Sequence, residues 1–497
     1  MSLFRLSWRA SAARIAGSVS VLTLLAACAP DLGPAARVKP AADYAVARSL
    51  GAPTTAVWPG QDWWTAYNDP QLNALIDEAL KGSPDLKVAE ARVRQAQARS
   101  QQAGAALLPS AGAKGNIQAT AVQLNLAGIP ASVKDALPND WQPFTQIGAN
   151  IDYQVDFFGK NRAGVAAASS LARASQFELA AARLQISTGV ASAYADLVRL
   201  TADRAAAVDA VRVRGDSLTL VSDRLRNGLE NQGQLAQSSA EANVSLGDVA
   251  ALDARIDQAR HQLGALVGAG PDRGLDITPN PASVGQPFGL PSNLAADLIG
   301  RRPDVAAARL RAEAAADKIK MAHADFYPNI SLTGSVLDLS LSPDQIFSHN
   351  IILAQVGPAI SLPIFQGGRL QGAYRGARAE YDEAVANYDK AVVQALHDVA
   401  DAVSGQKALA LQLGYARKAL ADSEKAYNLA TLRYQGGLSP YLVVLTAEST
   451  LVAQRRAAAD LQAQTLAGNI ALVRALGGGF IDPNASNSPD VKGPSHG

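Results

Sequence analysis

The stretch Gln146-Ile147-Gly148-Ala149-Asn150-Ile151-Asp152-Tyr153-Gln154-Val155-Asp156-Phe157-Phe158-Gly159 changes its period at the end. Up to Val155, apolar and polar residues alternate, the pattern of a strand with one dry face and one wet face. Past Gly159 the alternation stops. No proline occurs from Asn161 to Asn227, and Leu171, Ala174, Phe177, Ala181, Leu184 and Ala191 recur at helical spacing. A helix of about 67 residues is about 100 Å long, and that length indicates a coiled coil or helical stack rather than a globular helix.

The same change of period occurs twice. Pro84-Asp85-Leu86 opens an Ala-rich run that closes at Leu107-Leu108-Pro109, and Pro303-Asp304-Val305 opens one that closes at Phe326-Tyr327-Pro328. Phe157-Phe158-Gly159 is matched by Phe365-Gln366-Gly367-Gly368. Arg224-Leu225-Arg226-Asn227-Gly228-Leu229 is matched by Leu432-Arg433-Tyr434-Gln435-Gly436-Gly437-Leu438. The prolines recur about 219 positions later and the glycines about 209, so a slip of about ten falls between Pro109 and Gly159. A duplication with one longer loop accounts for this.

In the second copy Val356, Pro358, Ile360 and Leu362 alternate with Gln355, Gly357, Ala359 and Ser361. The partner strands are weaker: Gly115, Ile117, Ala119 and Ala121, and Ile330, Leu332, Gly334 and Val336. Each copy predicts a helix of about 25 residues before its strands (Asp85 to Leu107, Asp304 to Phe326) and one of about 40 after its long helix (Leu229 to Val267, Leu438 to Leu476). Stacked end to end, each short pair lies beside a long helix as a rod of nearly equal height.

The 497 residues are 48% hydrophobic, 18% charged and 5% aromatic, with 45 Lys and Arg against 44 Asp and Glu. A net charge of +1 lacks the basic footprint of a nucleic-acid binder. One cysteine excludes a disulfide framework and a multi-thiolate metal site within one chain. His261, His323, His349, His397 and His496 have no paired ligand spacing, and Gly264, Gly268 and Gly270 do not follow a strand as a phosphate loop requires. His397-Asp398 falls in mid-helix. No nucleophile–base constellation is present, so the reading is of a protein that is not an enzyme, with no catalytic, cofactor or metal residues.

Arg5, Arg9 and Arg14 precede an uncharged run from Ile15 to Ala27. That run is too short to span a membrane as a helix, which takes about 20 residues, and has the form of a secretory signal. It ends Leu25-Ala26-Ala27-Cys28, which resembles a bacterial lipoprotein signal with Cys28 as the acylated residue. The position after the cysteine is Ala29 rather than Asp, which in such signals favours the outer membrane.

No later stretch offers 18 consecutive apolar residues, so a helical inner-membrane transporter is excluded and any spanning part must be a closed barrel. Strand alternation alone favours a half-buried soluble hairpin. The lipoprotein signal turns the reading toward a transmembrane barrel. Two hairpins give four strands, fewer than the about eight of the smallest closed membrane barrels. Identical subunits must complete the wall around a cyclic axis, and three copies give twelve strands.

The expected layout is a signal peptide at 1–27, a lipid anchor and arm at 28–83, and a first repeat at 84–268 with its hairpin at about 110–158. An irregular crossing follows at 269–302, then a second repeat at 303–476 with its hairpin at about 328–366. A disordered tail is expected at 477–497. Asp156, Lys160 and Arg162 read as the membrane–water boundary and helix start.

Trp64 with Asp69-Pro70-Gln71-Leu72 and Leu75-Ile76, Asp156-Phe157-Phe158-Gly159-Lys160, and Leu290-Pro291-Ser292 before Leu298-Ile299 stand in order along the chain. Arg301-Arg302-Pro303-Asp304, Phe326-Tyr327-Pro328-Asn329-Ile330-Ser331-Leu332, Leu362-Pro363-Ile364-Phe365 and Ala475-Leu476-Gly477-Gly478-Gly479 follow. Together they resemble the TolC-like outer-membrane factors, within them the NodT/OprM-type efflux lipoproteins, over roughly Trp58 to Gly479.

The resemblance implies a mainly α protomer with a transmembrane β-barrel, a duplicated helical and β-hairpin unit of a homotrimeric channel-tunnel. It implies passive conduction of small molecules, with an RND-type inner-membrane pump and a periplasmic adaptor docking at the inner end. The expected tips are the turns Arg226 to Glu230 and Gln435 to Ser439, with Gly228, Leu229, Gly437 and Leu438 as docking residues. In related proteins a leucine and an aspartate ring the closed aperture; the matching positions are Leu442 and Thr446, and a basic residue near that ring corresponds to Ser449. A hydrophobic constriction at Leu442 is therefore expected rather than a charge ring, and Leu442 packing a coiled-coil seam is the alternative. Glu448, two residues beyond Thr446, lies about 200° round the helix from it. A protein-secretion conduit and a non-conducting periplasmic coiled-coil lipoprotein are the competing functional classes.

Overall fold

The computed structural model describes residues 30–40, 43–44, 58–120, 141–279, 288, 298, 300–340 and 351–482. Cys28 and the signal peptide, most of the crossing, His349, His496 and residues 483–497 lie outside the described residues. Helix α1 (Pro70–Gly82) follows a 3-10 turn at Trp63–Tyr67. The first repeat is α2 (Pro84–Ala105), β1 (Ser110–Thr120), β2 (Gln142–Val155), α3 (Lys160–Arg226) and α4 (Gln232–Leu266). After the short helix α5 (Pro271–Leu275), the second repeat is α6 (Pro303–Ala324), β3 (Asn329–Ser340), β4 (Ile351–Ser361), α7 (Arg369–Gln435) and α8 (Tyr441–Ala475).

Corresponding helices have equal lengths in the two repeats: 22 residues for α2 and α6, 67 for α3 and α7, and 35 for α4 and α8. The boundaries have local causes. Pro84 and Pro303 occupy first helical turns, where a missing N–H costs nothing. Both long helices start after a left-handed glycine, Gly159 (φ 75) and Gly368 (φ 85).

The predicted end-to-end stacking is present. Helices α2 and α4 both pack on α3, and α6 and α8 both pack on α7. At the first junction Gly82 meets Gly268: a Cβ on Gly268 would stand 2.8 Å from the Gly82 carbonyl oxygen. At the second, Gly477 (φ 87) lies so close to the Arg301 carbonyl that no side chain fits there. Helix α3 also packs against α6 and α8, which joins the two repeats. The helical wall therefore runs as four columns in the order α2/α4, α3, α6/α8, α7.

Above it lies one antiparallel sheet in the order β1-β2-β3-β4. Strand and column orders correspond, because α2 leads into β1, β2 into α3, α6 into β3 and β4 into α7. Among the described residues both margins of the protomer, β1 with α2/α4 and β4 with α7, are open.

The core concentrates at the junction level. One cluster gathers Trp63, Trp64, Tyr67, Leu75 and Ile76 with Tyr194, Leu197, Leu263 and Ile277. The tail expected to be disordered from 477 is corrected in its first part. Phe480 packs edge-on against Phe177 at 5.3 Å, and the buried Asp482 pairs with Arg309 at 2.8 Å, which fixes the chain as far as residue 482.

Candidate functional site

The strand register builds a two-faced wall. Ile147 lies between Gly115 and Asp338, Ala149 between Ala113 and Val336, and Ile151 between Ala111 and Gly334. Val336 in turn faces Ala354, Gly334 faces Val356, and Ile330 faces Ile360. One face is thus apolar across all four strands except at the neighbouring Thr145, Asp338 and Ser340. The other is mainly polar, carrying Lys114, Asn116, Gln146, Asn150, Asp152, Gln154, Ser331, Thr333, Ser335 and Gln355, with Leu337, Leu339 and Leu353 interspersed. Its amides and carboxylates bond to one another, Asn150 to Asp152 at 2.6 Å and Gln154 to Asn329 at 2.5 Å. On the apolar face Ile151, Val336, Val356 and Ile360 are more than half exposed in the single chain. This is the strand pattern of a membrane barrel, apolar outward and polar inward.

At the strand base Asp156 accepts bonds from the backbone N–H groups of Asn161 (3.1 Å) and Arg162 (2.8 Å) and from the Arg162 side chain (3.3 Å). Burial pushes its carboxyl up, but these donors outweigh burial and hold it below the usual carboxylate range. Lys160 pairs with Asp325 at 2.6 Å, and Phe158 stacks on Tyr327 at 4.7 Å. Phe157, Ile364 and Phe365 project beside them, with 63%, 87% and 87% of their surface exposed. Exposed aromatic and apolar side chains beside charged pairs fit a membrane–water boundary.

At the far end the two helix turns have one geometry. After α3, the N–H groups of Gly228 and Leu229 bond back to Leu225 (3.0 Å) and Arg224 (2.8 Å). After α7, those of Gly437 and Leu438 bond back to Tyr434 (3.0 Å) and Arg433 (2.8 Å). Gly228 and Gly437 both have φ 71, the left-handed conformation of this helix ending. Asn231 then caps α4 in a reciprocal box with Gln234. Leu229 and Leu438 stand exposed at 61% and 74%.

The turns are tied together by groups that sequence reasoning missed. Tyr434 donates to Glu230 at 2.5 Å, the Arg224 guanidinium lies 4.4 Å over the Tyr434 ring, and Arg224 also donates to the Tyr434 carbonyl. Burial, then the bond to Glu230, pushes the Tyr434 hydroxyl well above its ordinary value. These partners are more than 200 residues apart, so no local pattern signals them.

Leu442 (64% exposed), Thr446 and Ser449 share one exposed stripe of α8. Glu448 turns the other way: it is 1% exposed, accepts a bond from Ser217 and lies 3.9 Å from Arg214. His397 is not paired with Asp398; its Nε2 lies 3.2 Å from Oδ2 of the exposed Asp401. Asp398 instead accepts from Arg302 at 2.9 Å. Gly264 and Gly268 serve close backbone packing. Among the described residues no helix is long and apolar enough to cross a membrane, and no group of three or more His, Cys, Asp or Glu is placed to hold a metal ion.

The model of the outer membrane efflux protein family matches residues 75–269 and 294–478. The chain belongs to that family. This outer membrane efflux protein is 34% identical over 366 residues, 73% of its length, to the fusaric acid resistance protein FusA of Burkholderia cepacia, covering 68% of that protein. It is 30% identical to the pyoverdine export outer membrane protein OpmQ of Pseudomonas aeruginosa, with 84% of this chain and 88% of OpmQ covered. Among solved structures, the outer membrane protein VceC of Vibrio cholerae is 39% identical and superposes with a TM-score of 0.78, covering 85% of this chain and 100% of that one. The mainly helical, duplicated protomer has the fold of the outer-membrane channel-tunnels.

Proposed function

We propose that this efflux-family chain is one third of an outer-membrane channel-tunnel that conducts small molecules passively outward in a tripartite system. The carrying observation is the correspondence of strand order and column order, with both margins open at the same two ends. An open strand edge is untenable in lipid, and an isologous dimer would cover only one edge of each protomer. Head-to-tail contacts of β4 and α7 against β1 and α2/α4 of the next copy close a ring. Three copies give twelve strands over twelve columns. The polar strand face then lines the lumen and the apolar face meets lipid.

Acylation at Cys28 agrees with the path of the arm. The Pro34 carbonyl accepts from Arg378, the Ala36 N–H donates to Asp382 and the Lys39 N–H to Asp389, so the arm ascends α7 toward the strands as its numbering falls. Arg378 lies nine residues, about 14 Å, from the start of α7. The six residues from Pro34 back to Cys28 span up to about 20 Å. The acyl chains can therefore reach the leaflet at the strand base.

The matched turns at Gly228-Leu229 and Gly437-Leu438 present the docking surface for a periplasmic adaptor, behind which an RND-type pump supplies the energy. Leu442 forms the aperture as an apolar ring, with Thr446 above it in place of a charge. Deleting the gene and measuring drug, metal and protein export together tests this function. Drug or metal sensitivity is expected to rise. Loss of secreted protein with unchanged sensitivity would overturn it in favour of a secretion conduit.

A further inference from the structure

Between the helix turns and the junction level, α3 and α8 form the seam that joins the two repeats, and this seam buries two carboxylates. Glu448 on α8 is 1% exposed and Asp203 on α3 is 5% exposed. Along α3 the groups that meet them, Ser217 and Asp203, stand 14 residues apart, about 21 Å.

The charges around Glu448 do not balance. From α3 it faces the Ser217 hydroxyl and the Arg214 guanidinium, from α4 Glu241, and on its own helix Tyr441. Arg214 is engaged first by Glu241, ion-paired at 3.1 Å and bonded at its carbonyl at 3.0 Å, and only distantly by Glu448 at 3.9 Å. One guanidinium thus serves two carboxylates, and Glu448 has the poorer share. Ser217 suits either state of Glu448, since a hydroxyl donates to a carboxylate and accepts from a carboxylic acid.

Asp203 repeats the arrangement. Its Oδ2 accepts from Arg199 at 3.0 Å, while Arg199 is also claimed by Asp196 (2.7 Å) on α3 and Asp460 (3.5 Å) on α8, with Arg456 of α8 as the further cation. Its other oxygen has no hydrogen-bond partner among the described residues.

We propose that Glu448 is a proton-operated latch between the repeats: protonated, it holds α8 against α3 and the inner end closed; ionised, it favours their separation. The proposal rests on the conduit reading above, because it assigns the seam to the gate. The gate stripe of Leu442, Thr446 and Ser449 lies on the exposed side of α8 and Glu448 on its seam side, so a displacement of α8 that moves the stripe also shears the seam.

The direction follows from solvation. A carboxylate held in the closed seam lacks water and a full counter-charge, whereas separation of the helices rehydrates it. Burial outweighs Ser217 and Arg214 and pushes the Glu448 carboxyl above its ordinary value, and burial likewise raises Asp203. A carboxyl raised in the closed form stabilises that form fully in acid, and the stabilisation is lost as pH rises through the raised value. Each pH unit across the titration changes the closed-to-open ratio by up to about tenfold per latch.

The test measures melting temperature and single-channel current of the purified full-length protein from about pH 4 to about pH 8, a range that brackets a raised carboxyl. Wild type is expected to melt at higher temperature in acid and to conduct more as pH rises. Glu448→Gln, the same shape without the charge, is expected to flatten both profiles and keep the low conductance of acid. Glu241→Gln releases Arg214 to Glu448 and is expected to move both midpoints to lower pH. Retention of the wild-type profiles in Glu448→Gln overturns the latch, as does a flattened melting profile with an unmoved conductance profile. Absence of current at every pH in every variant overturns the conduit reading and the latch with it.

Discussion

Left-handed glycines stand at equivalent places in both repeats, and each excludes a side chain for a different reason. Gly228 and Gly437 have open space where a Cβ would go, so only the backbone conformation demands glycine there. Gly477 and Gly268 are also closed off by a neighbouring carbonyl. Replacing Gly437 by Ala is expected to cost about 1–2 kcal/mol at the turn, read as a lower melting temperature. Gly228→Asp and Gly437→Asp are expected to weaken adaptor cross-linking and lower drug resistance; unchanged values for both would remove the docking assignment. Arg302 is the second residue of interest. It is 8% exposed and donates to Asp304, Asp398 and the Ala475 carbonyl, so it fastens the second junction to α7. Arg302→Ala is expected to destabilise by about 2 kcal/mol, the cost of losing its charge-assisted bonds and leaving the buried Ala475 carbonyl without them, measured as a shift of the unfolding midpoint. The turn glycines were legible because spacing from one copy to the other exposes them. The work of Arg302 was not, since Asp398 and Ala475 are 96 and 173 residues away and only folding unites them. The burial of Glu448 was partly legible: an offset of two residues from Thr446 turns it to the opposite side of α8.

At the scale of elements, periodicity carried most of the information. The first long helix falls at Lys160–Arg226, one residue from the proline-free run Asn161 to Asn227 that announced it, and its counterpart Arg369–Gln435 has the same length. The strands follow their alternation, and the register then aligns four apolar faces that had been read separately. Pairing of β2 with β3, the strand contact between the repeats, was not legible because alternation specifies which way a strand faces but not its neighbour. The arm along α7 was likewise hidden, held by backbone amides donating to Asp382 and Asp389 rather than by an apolar pattern. Strand faces make a sharp comparison. Val356 and Gln355 are adjacent on β4, one on each face. Val356→Lys is expected to cost about 2–4 kcal/mol near the middle of the bilayer and to lower the yield of membrane-assembled protein. Gln355→Lys, on the wet face, is expected to assemble like wild type. Equal loss from both substitutions would reverse or abolish the assignment of faces.

For the whole molecule, the organising fact is a protomer of four columns whose two margins differ and whose other interfaces are filled. Such a unit closes on itself only as a ring of copies, and its height is set by helices about 100 Å long. The proposed acylation of Cys28 would add a second attachment to the outer membrane beside the strands. Cys28→Ala is expected to abolish incorporation of labelled fatty acid while leaving the barrel able to insert; persistent label in the variant would place the lipid elsewhere. The most direct measurement is current through a planar bilayer containing the purified full-length protein, wild type beside Leu442→Ser. Discrete current steps are expected from both, larger in Leu442→Ser because the apolar ring at the inner end is relaxed. Inserted protein that passes no current in either form would contradict the conduit; steps of equal size would contradict Leu442 as its gate.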